Sequence, residues 1–364
     1  MTFTCFSCDS VLENPKQQNW PIASIDIPVE FKNLEVVTCK HCGFSFSNEP
    51  MSDDSLRYYY ENSYDGIAKK TASYVTLKWR PHGIYALNYR AMSEIALLQT
   101  FISIKDNTKI LDIGAGNGEF FNALRSLSIN SDNYAVEPQS DAHIGLRHLN
   151  VNSIKDTFFS GFSEKYKLEN FDLITSTHTI EHFNANNIKN IFHEVKKMLK
   201  PGGIFFCEVP HANLHKFPDV NEVVNLHLSF FSIDSIQNFV KKTGMEVIFC
   251  STCGEKLLTR TAIPDVPNDD RERLYKEKFY LDGEKKVLIN REHEVFHKKV
   301  KRKQNIKFMI VYLSNKILGK KITFKLLDLN QKRKLPVSTE LISHPYFLYD
   351  DDREYLRIIA RKPF

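Results

Sequence analysis

Apolar runs of strand length alternate with segments of helical spacing between residues 109 and 251. The strand-like runs are Lys109–Ile113, Tyr134–Pro138, Val151–Ile154, Phe171–Thr175, Ile204–Val209 and Met245–Ser251. The segments with helical spacing are Glu119–Leu127, Ser140–Leu149, Asn187–Leu199 and Ile233–Thr243. Strands that alternate with crossover helices predict a parallel sheet covered on both faces. The pattern therefore predicts a doubly wound α/β fold.

Two further patterns flank this region. Residues 51–104 are polar and aromatic, and their apolar positions take helical spacing from Ile84 onward, which predicts a helical connector. Another strand-like run, Tyr355–Arg361, lies far from the rest. If this run joins the same sheet, residues 253–354 are an insertion between the sixth and seventh strands.

Composition and charge limit the class of protein. The 364 residues are 42% hydrophobic and 26% charged, which is ordinary globular composition. Because no apolar run is long enough to span a bilayer and the first residues lack a signal-peptide pattern, we expect a cytoplasmic protein. The net charge of +5 does not by itself indicate a nucleic-acid partner.

The basic residues are concentrated in residues 285–334, which contain 16 lysines and arginines but only three acidic residues. This segment lies inside the predicted insertion. We expect either a helix docked on its own domain with solvated lysines or a transient contact with an anionic membrane surface.

Four of the seven cysteines form two Cys-x-x-Cys pairs, Cys5 with Cys8 and Cys39 with Cys42. In a reducing compartment such pairs indicate metal ligation rather than disulfides. Four thiolates complete a tetrahedral zinc site, and residues 1–50 are too few to bury a core without such a support. We therefore predict a structural zinc, with unrelated free cysteines as the alternative.

A glycine turn follows the first predicted strand, with Gly114, Gly116 and Gly118. Glu137 ends the next strand, where an acid can accept hydrogen bonds from both ribose hydroxyls of an adenosine. Glu119 stands where the dinucleotide-binding pattern has its third glycine. Its negative charge would repel a pyrophosphate, so a cofactor without phosphates fits better. S-adenosylmethionine is such a cofactor, and Asp112 or Glu119 could receive its positive methionine end.

Four segments together resemble the class I S-adenosylmethionine-dependent methyltransferases. They are LDIGAGNG from Leu111, AVEP ending at Pro138, FDLITSTHTIEHF from Phe171 and MLKPGGIFFCEVP ending at Pro210. The resemblance implies a seven-stranded Rossmann-like core whose seventh strand runs antiparallel beside the sixth. It also implies that the cofactor is bound by Asp112, Gly114, Ala115, Gly116, Gly118, Glu137 and Thr177.

This resemblance divides the chain into four parts. Residues 1–50 would be the zinc-binding domain and residues 51–104 a helical connector or lid. Residues 105–252 with 355–364 would be the methyltransferase core, and residues 253–354 the basic insertion.

The residues after the fourth strand indicate which class of acceptor is methylated. They lack the Asn- or Asp-Pro-Pro-aromatic motif of base N-methyltransferases, which disfavours methylation of an exocyclic amine. Cys207 is a conceivable nucleophile for pyrimidine methylation, but a cysteine inside a strand is more often core. The zinc module, tyrosine-rich connector and core resemble nucleotide-sugar C-methyltransferases, which implies a sugar site lined by Glu181, His182 and Tyr60 or Tyr64.

That family carries a further domain after its last core strand, whereas here Phe364 follows closely, so C-methylation and O-methylation of a sugar both stay open. We predict His182 as the proton acceptor, Glu181 as the group that orients it or the sugar, and Tyr64 as a lid, with His178 as the next candidate base. In a structural alternative, one imidazole bonds a backbone carbonyl, the other packs on the cofactor, and the tyrosines pack without acting as a lid. In another, His178, Glu181, His182 and His227 bind a metal and resemble terminal-ribose small-RNA methyltransferases.

Two rival functions remain at this stage. One is an RNA-modifying methyltransferase that uses the zinc module and residues 285–334 to bind phosphates. The other is an interaction protein that keeps the fold without turnover.

Overall fold

The computed structural model describes residues 2–15, 17–19, 34–63, 89–140, 142–212, 226–256, 280–281, 345–350 and 353–364. The chain divides into two compact units. The first unit comprises Met1–Tyr59, Phe158–Lys286 and Tyr349–Phe364, and the second comprises Tyr60–Thr157 and Val287–Leu348. The basic segment 285–334 and Tyr64 lie outside the described residues, and the predicted domain boundaries stay a prediction.

The described strands are numbered in chain order: β1 (Thr2–Thr4), β2 (Val11–Glu13), β3 (Gln17–Asn19), β4 (Glu35–Thr38), β5 (Ser45–Ser47), β6 (Lys109–Ile113), β7 (Asp132–Val136), β8 (Asn152–Ile154), β9 (Phe171–Thr177), β10 (Leu199–Pro210), β11 (Ser229–Phe230), β12 (Glu246–Lys256), β13 (Tyr280–Leu281), β14 (Tyr349–Asp350) and β15 (Arg353–Arg361). The described α-helices are α1 (Asp53–Tyr58), α2 (Tyr89–Leu98), α3 (Glu119–Ser126), α4 (Ala142–His148), α5 (Phe162–Tyr166), α6 (Ala185–Met198) and α7 (Ile233–Lys242). A 3-10 turn covers Ile180–His182 and another covers Pro345–Phe347.

The larger sheet of the first unit has the strand order β13-β12-β15-β10-β9. Strands β9 and β10 are parallel, whereas β15 runs antiparallel to both β10 and β12. The expected antiparallel seventh strand beside the sixth is thereby confirmed, and it lies between the fifth and sixth predicted strands. The sheet buries apolar side chains such as Phe205, Phe206 and Ile358.

A smaller antiparallel sheet in the same unit has the order β11-β5-β4-β3, and β1 pairs with β2 beside the first cysteine pair. Helix α7 begins with a capping box in which Ser232 and Ser235 satisfy each other's backbone amides. Its apolar face, with Ile236, Phe239 and Val240, is buried.

In the second unit, β6, β7 and β8 pair in parallel. Helix α3 follows the glycine turn and buries Phe120, Phe121 and Leu124, as its helical spacing predicts. Helix α5 in the first unit is not in the sequence prediction, because five residues are too few to show a helical period. The alternation of strands and helices in both units confirms the α/β class.

No helix in the described ranges has both the length and the apolar character needed to cross a membrane.

Candidate functional site

The glycine turn of the second unit takes left-handed backbone conformations that favour glycine. Gly114, Gly116 and Gly118 have φ angles of 74°, 49° and 81°. The conformation therefore favours glycine at position 118, and a Cβ atom there, 2.8 Å from Leu149 Cδ1, would also displace that leucine side chain. The turn leads directly into α3, whose first amides can face a ligand.

Glu137 is brought to this turn, as predicted. Its carboxylate is buried, and Oε2 accepts a 2.8 Å hydrogen bond from the amide of Gly116 while Oε1 accepts one of 2.8 Å from Gln139. A carboxylate has about four lone-pair sites, so both oxygens can still accept ribose hydroxyls. Asp112 is also buried, at the end of β6.

His143 is a residue of this site that sequence reasoning missed. Its Nε2 lies 2.8 Å from the carbonyl oxygen of Glu137, and its Nδ1 lies 2.9 Å from Ser153 Oγ. Since a carbonyl only accepts, Nε2 donates and Nδ1 accepts from the serine. His143 therefore holds the backbone that carries Glu137, and no motif in α4 indicates this role.

Of the predicted acceptor residues, His178, Glu181 and His182 belong to the first unit, whereas Tyr60 and Tyr64 belong to the second. Thr177 ends β9, and His178 follows it with a φ angle of 52°, a conformation that is strained for a residue with a side chain. The amide of His178 donates to the carbonyl of Glu208. Its ring lies between two carboxylates, with Nδ1 3.4 Å from Glu181 Oε1 and Nε2 3.2 Å from Glu208 Oε1.

Behind His178 lies a buried charge network that the sequence prediction did not contain. Glu208 and Arg357 are opposite each other on β10 and β15, both are fully buried, and Arg357 Nε donates to Glu208 Oε2 at 2.6 Å. Arg357 Nη1 also donates to the hydroxyl of Tyr349 at 2.7 Å. A buried ion pair tolerates desolvation only with such additional hydrogen bonds.

His182 is oriented by a backbone carbonyl. Its Nδ1 lies 2.6 Å from the carbonyl oxygen of Leu226 and must donate, because a carbonyl only accepts. In the neutral ring, Nε2 therefore carries a lone pair. Burial lowers the pKa of His182 below its ordinary value, which keeps that lone pair available near neutral pH.

Glu181 lies close to both histidines of this turn. Its side chain is 1% exposed, and within the described part of the chain neither carboxylate oxygen makes a hydrogen bond. Oε1 lies 3.4 Å from Nδ1 of His178, and a carboxylate oxygen lies within 4.8 Å of a ring nitrogen of His182. Such a carboxylate needs a ligand that supplies donors or positive charge.

A cation is one ligand that this arrangement could bind. Potential ligand atoms of Glu181, His182 and His227 lie within 4.8 Å of one another. His178 does not belong to this set. Among the described residues, the structure therefore brings together three of the four predicted metal ligands. The same atoms could instead meet a hydroxyl-bearing substrate, because imidazole and carboxylate groups also accept hydrogen bonds.

Cys207 lies inside β10 and is fully buried. Burial raises the pKa of its thiol well above the ordinary value, so it stays protonated and is a poor nucleophile. This environment agrees with the core interpretation.

The cysteine pairs are brought together in the first unit. Sγ of Cys5 lies 3.6 Å from Sγ of Cys42, and Sγ of Cys8 lies 3.6 Å from Sγ of Cys39. A tetrahedron with zinc–sulfur bonds of about 2.3 Å has edges of about 3.8 Å, so the spacing fits. Among these thiols, hydrogen bonding lowers the pKa of Cys39 and raises the pKa of Cys5 and Cys42, so without a metal the cluster favours a thiolate at Cys39 that the other two thiols hydrogen-bond.

The family comparison identifies one part of the chain. Residues 85–248 match the model of a family described as a methyltransferase domain. This match supports the S-adenosylmethionine-dependent methyltransferase that the sequence predicts.

Individual relatives are more distant. A sterol 24-C-methyltransferase from Gibberella zeae is 27% identical over 110 residues, which cover 29% of this chain and only 28% of that relative. A SAM-dependent methyltransferase structure from Thermotoga maritima is 13% identical, with a TM-score of 0.42 over 81% of this chain and 97% of its own. Phosphoethanolamine N-methyltransferase 2 from Haemonchus contortus is 14% identical, with a TM-score of 0.43 over 88% of this chain and 62% of its own.

Proposed function

We propose, from the premise that residues 85–248 are a methyltransferase domain, that this protein methylates a carbon or an oxygen atom of a sugar. The acceptor would be nucleotide-linked or part of a surface-glycan pathway in the cytoplasm. S-adenosylmethionine supplies an electrophilic methyl group when it is bound.

The residues that bind the cofactor in this proposal are those of the glycine turn. Glu137 accepts hydrogen bonds from the ribose hydroxyls, and backbone amides of residues 114–118 face the ligand. Asp112 receives the positive charge of the methionine end. The support is the left-handed turn and the hydrogen bond that joins Gly116 to Glu137.

The observation that carries the sugar proposal is the carboxylate of Glu181. It is almost completely buried and makes no hydrogen bond within the described residues. Two neighbouring hydroxyls of a sugar would supply a donor to each oxygen and remove the cost of burying it. The resemblance to nucleotide-sugar methyltransferases supports the same substrate class.

In this proposal His182 accepts the proton that the sugar loses. Its Nδ1 stays bonded to the carbonyl of Leu226, and Nε2 takes the proton from the hydroxyl or from the carbon next to a ketone. His178 lies beside Glu181 and can donate to the same sugar. The lid role of Tyr64 stays a prediction, because Tyr64 lies outside the described residues. The proton then leaves the imidazole to solvent, which restores the neutral base.

Zinc has a structural role in this proposal, bound by Cys5, Cys8, Cys39 and Cys42. Four thiolates leave no open coordination position for chemistry. Metal analysis of the purified protein is expected to give about one zinc per chain.

The test is methyl transfer from labelled S-adenosylmethionine to a panel of nucleotide sugars, free sugars and single-stranded RNA. We expect label in a nucleotide sugar, and the carbon NMR shift of a ¹³C-labelled methyl group in the product would distinguish oxygen from carbon as the acceptor atom. Transfer to RNA alone, with strong salt dependence, would contradict the proposal and favour an RNA-modifying enzyme. Cofactor binding without transfer to any acceptor would favour an interaction protein.

A further inference from the structure

We infer that the N-terminal cysteine module, residues 1–50, positions the proposed base His182. It acts through residues Leu226–Phe230. This bridging segment lies with one edge on the cysteine module and the other on the turn that carries Glu181 and His182. The expected change in turnover rests on the proposed function. The expected change in the tautomer of His182 concerns only contacts within the first unit.

The first contact joins the second cysteine pair to the bridging segment. Cys39 donates from its amide to the carbonyl of Phe44 at 2.7 Å, which closes the turn that leads into β5. Strand β5 then pairs with β11 antiparallel, with Phe46 opposite Ser229. The amide of Ser47 also donates to Leu228 at 2.9 Å.

The second contact joins the bridging segment to residues 178–184, the turn that carries Glu181 and His182 and is called the catalytic turn below. The amide of Leu228 donates to the carbonyl of Glu181 at 2.9 Å, and the hydroxyl of Ser229 donates to the carbonyl of Phe183 at 2.8 Å. The carbonyl of Leu226 accepts from Nδ1 of His182 at 2.6 Å. The segment that is paired with the cysteine module therefore also selects the tautomer of His182.

One further link joins the cysteine module to α7, and another joins the catalytic turn to Met51, the residue that directly follows the module. The hydroxyl of Ser232 donates to the carbonyl of Cys42 at the start of α7. The side chain of Asn184, buried at the end of the catalytic turn, makes two 2.8 Å hydrogen bonds with the backbone of Met51.

Aromatic packing makes this connection rigid. Phe44 follows the second cysteine pair, is fully buried, and has its ring centroid 5.4 Å from that of Phe231 and 5.1 Å from that of Phe239. Displacing the Cys39–Cys42 turn therefore moves a core aromatic residue as well as β5. Because interiors are close-packed, such a shift is transmitted to its neighbours rather than absorbed.

The strand pairing distinguishes this positioning role from substrate binding by the cysteine module. A small metal-bound module can bind phosphates as an appendage, in which case its loss would leave the base unchanged. Here the module supplies a strand to the sheet that ends beside the base. Asp112, the glycine turn and Glu137 lie in the second unit, so the affinity for S-adenosylmethionine provides an internal reference.

The experiment combines zinc removal by a chelator with nitrogen NMR of the histidine rings in the full chain. In the zinc-loaded protein we expect the Nδ1–H tautomer of His182, identified by its loss in H182N. After chelation we expect that signal to disappear, while the dissociation constant for S-adenosylmethionine stays within about twofold. An unchanged tautomer after complete zinc removal would overturn the inference. So would a parallel loss of cofactor affinity, which would indicate general unfolding.

A variant keeps the test independent of the metal. Asn184→Ala removes both links to Met51, and we expect turnover to fall about fivefold to tenfold, the scale of one or two hydrogen bonds. Asn184→Asp keeps the acceptor and is expected to recover part of the rate. Asn186→Ala, at an exposed position of α6, is the matched control and is expected to keep the full rate.

Equal rates in Asn184→Ala and Asn186→Ala would contradict the inference. If the protein methylates no sugar, the proposed function fails, but the tautomer measurement still decides the inference.

Discussion

The glycine-turn site and the histidine–carboxylate site are built in opposite ways. The first uses backbone conformations and the carboxylates of Asp112 and Glu137 in the second unit. The second combines side chains of the turn after β9, of β10 and of β15 with a backbone carbonyl of the bridging segment, all in the first unit. A local site loses single contacts when it is mutated, whereas a site assembled across the chain depends on the fold around it.

The strongest way to break the second site is to remove β15. Deleting residues 351–364 removes the strand between β10 and β12 together with Arg357, and leaves Glu208 buried without its ion pair. We expect the first unit to unfold or its Tm to fall steeply, because an interior ladder and a buried charge are lost. Circular dichroism and calorimetry measure this. Deleting only the exposed Phe364 is the control, and an unchanged Tm in the longer deletion would contradict the assignment of β15.

A narrower change in the same site replaces the base. For His182→Asn we expect kcat to fall by a factor of about 10² to 10⁴, the usual contribution of a general base. His193→Asn, a histidine on α6 outside the site, is expected to turn over normally. If His182→Asn keeps its fold and stays within about threefold of the unmodified protein, proton transfer belongs to another group, with His178 the next candidate.

The pH profile gives a second view of His182. Burial disfavours the imidazolium, so the pKa lies below the ordinary 6.5 and the base form persists to lower pH. We expect kcat to be constant above pH 6.5 and to fall about tenfold per pH unit only below the lowered pKa. An acid limb centred above pH 6.5 would contradict this environment for the base.

A change in the glycine-turn site is expected to be smaller and confined to binding. Glu137→Ala should weaken S-adenosylmethionine binding by about 1.5 to 3 kcal/mol, the scale of hydrogen bonds to a charged group. The rise in the cofactor KM measures it. Asp132→Ala, at an exposed position of the same strand, is the control, and equal KM values for the two variants would remove Glu137 from the site.

The smallest expected effect is at the far end of the charge network. Tyr349→Phe removes the hydroxyl that accepts from Arg357 and should reduce stability by about 1 kcal/mol or somewhat more, since the arginine is charged and buried. Chemical denaturation measures the change. An unaltered free energy of unfolding would mean that another group replaces the hydroxyl.

The difference in construction also explains what could be predicted from the sequence. The glycine turn, Glu137 and the cysteine pairs are short-range patterns, and the structure brings each set together. Glu208, Arg357 and Tyr349 carry no motif, because their contact arises from the register of two distant strands. Knowing only that Tyr355–Arg361 is a strand does not reveal that Arg357 faces Glu208.

The backbone partner of His182 could not be predicted from the sequence for a similar reason. The resemblance indicates Glu181 as the group that orients His182 or the sugar, and the structure adds a carbonyl 44 residues away that accepts from Nδ1 of His182. A backbone carbonyl has no residue type, so its role cannot appear in a composition or a motif. Only pairing of the bridging segment with the catalytic turn creates it.

The central claim, that cofactor binding and acceptor chemistry reside in different sets of residues, is tested most directly by calorimetric titration of S-adenosylmethionine into three proteins. We predict that the unmodified protein and His182→Asn bind with the same dissociation constant. Glu137→Ala should bind roughly 10- to 150-fold more weakly, the equivalent of about 1.5 to 3 kcal/mol. Unchanged affinity in Glu137→Ala, or an equal loss in His182→Asn, would contradict the account.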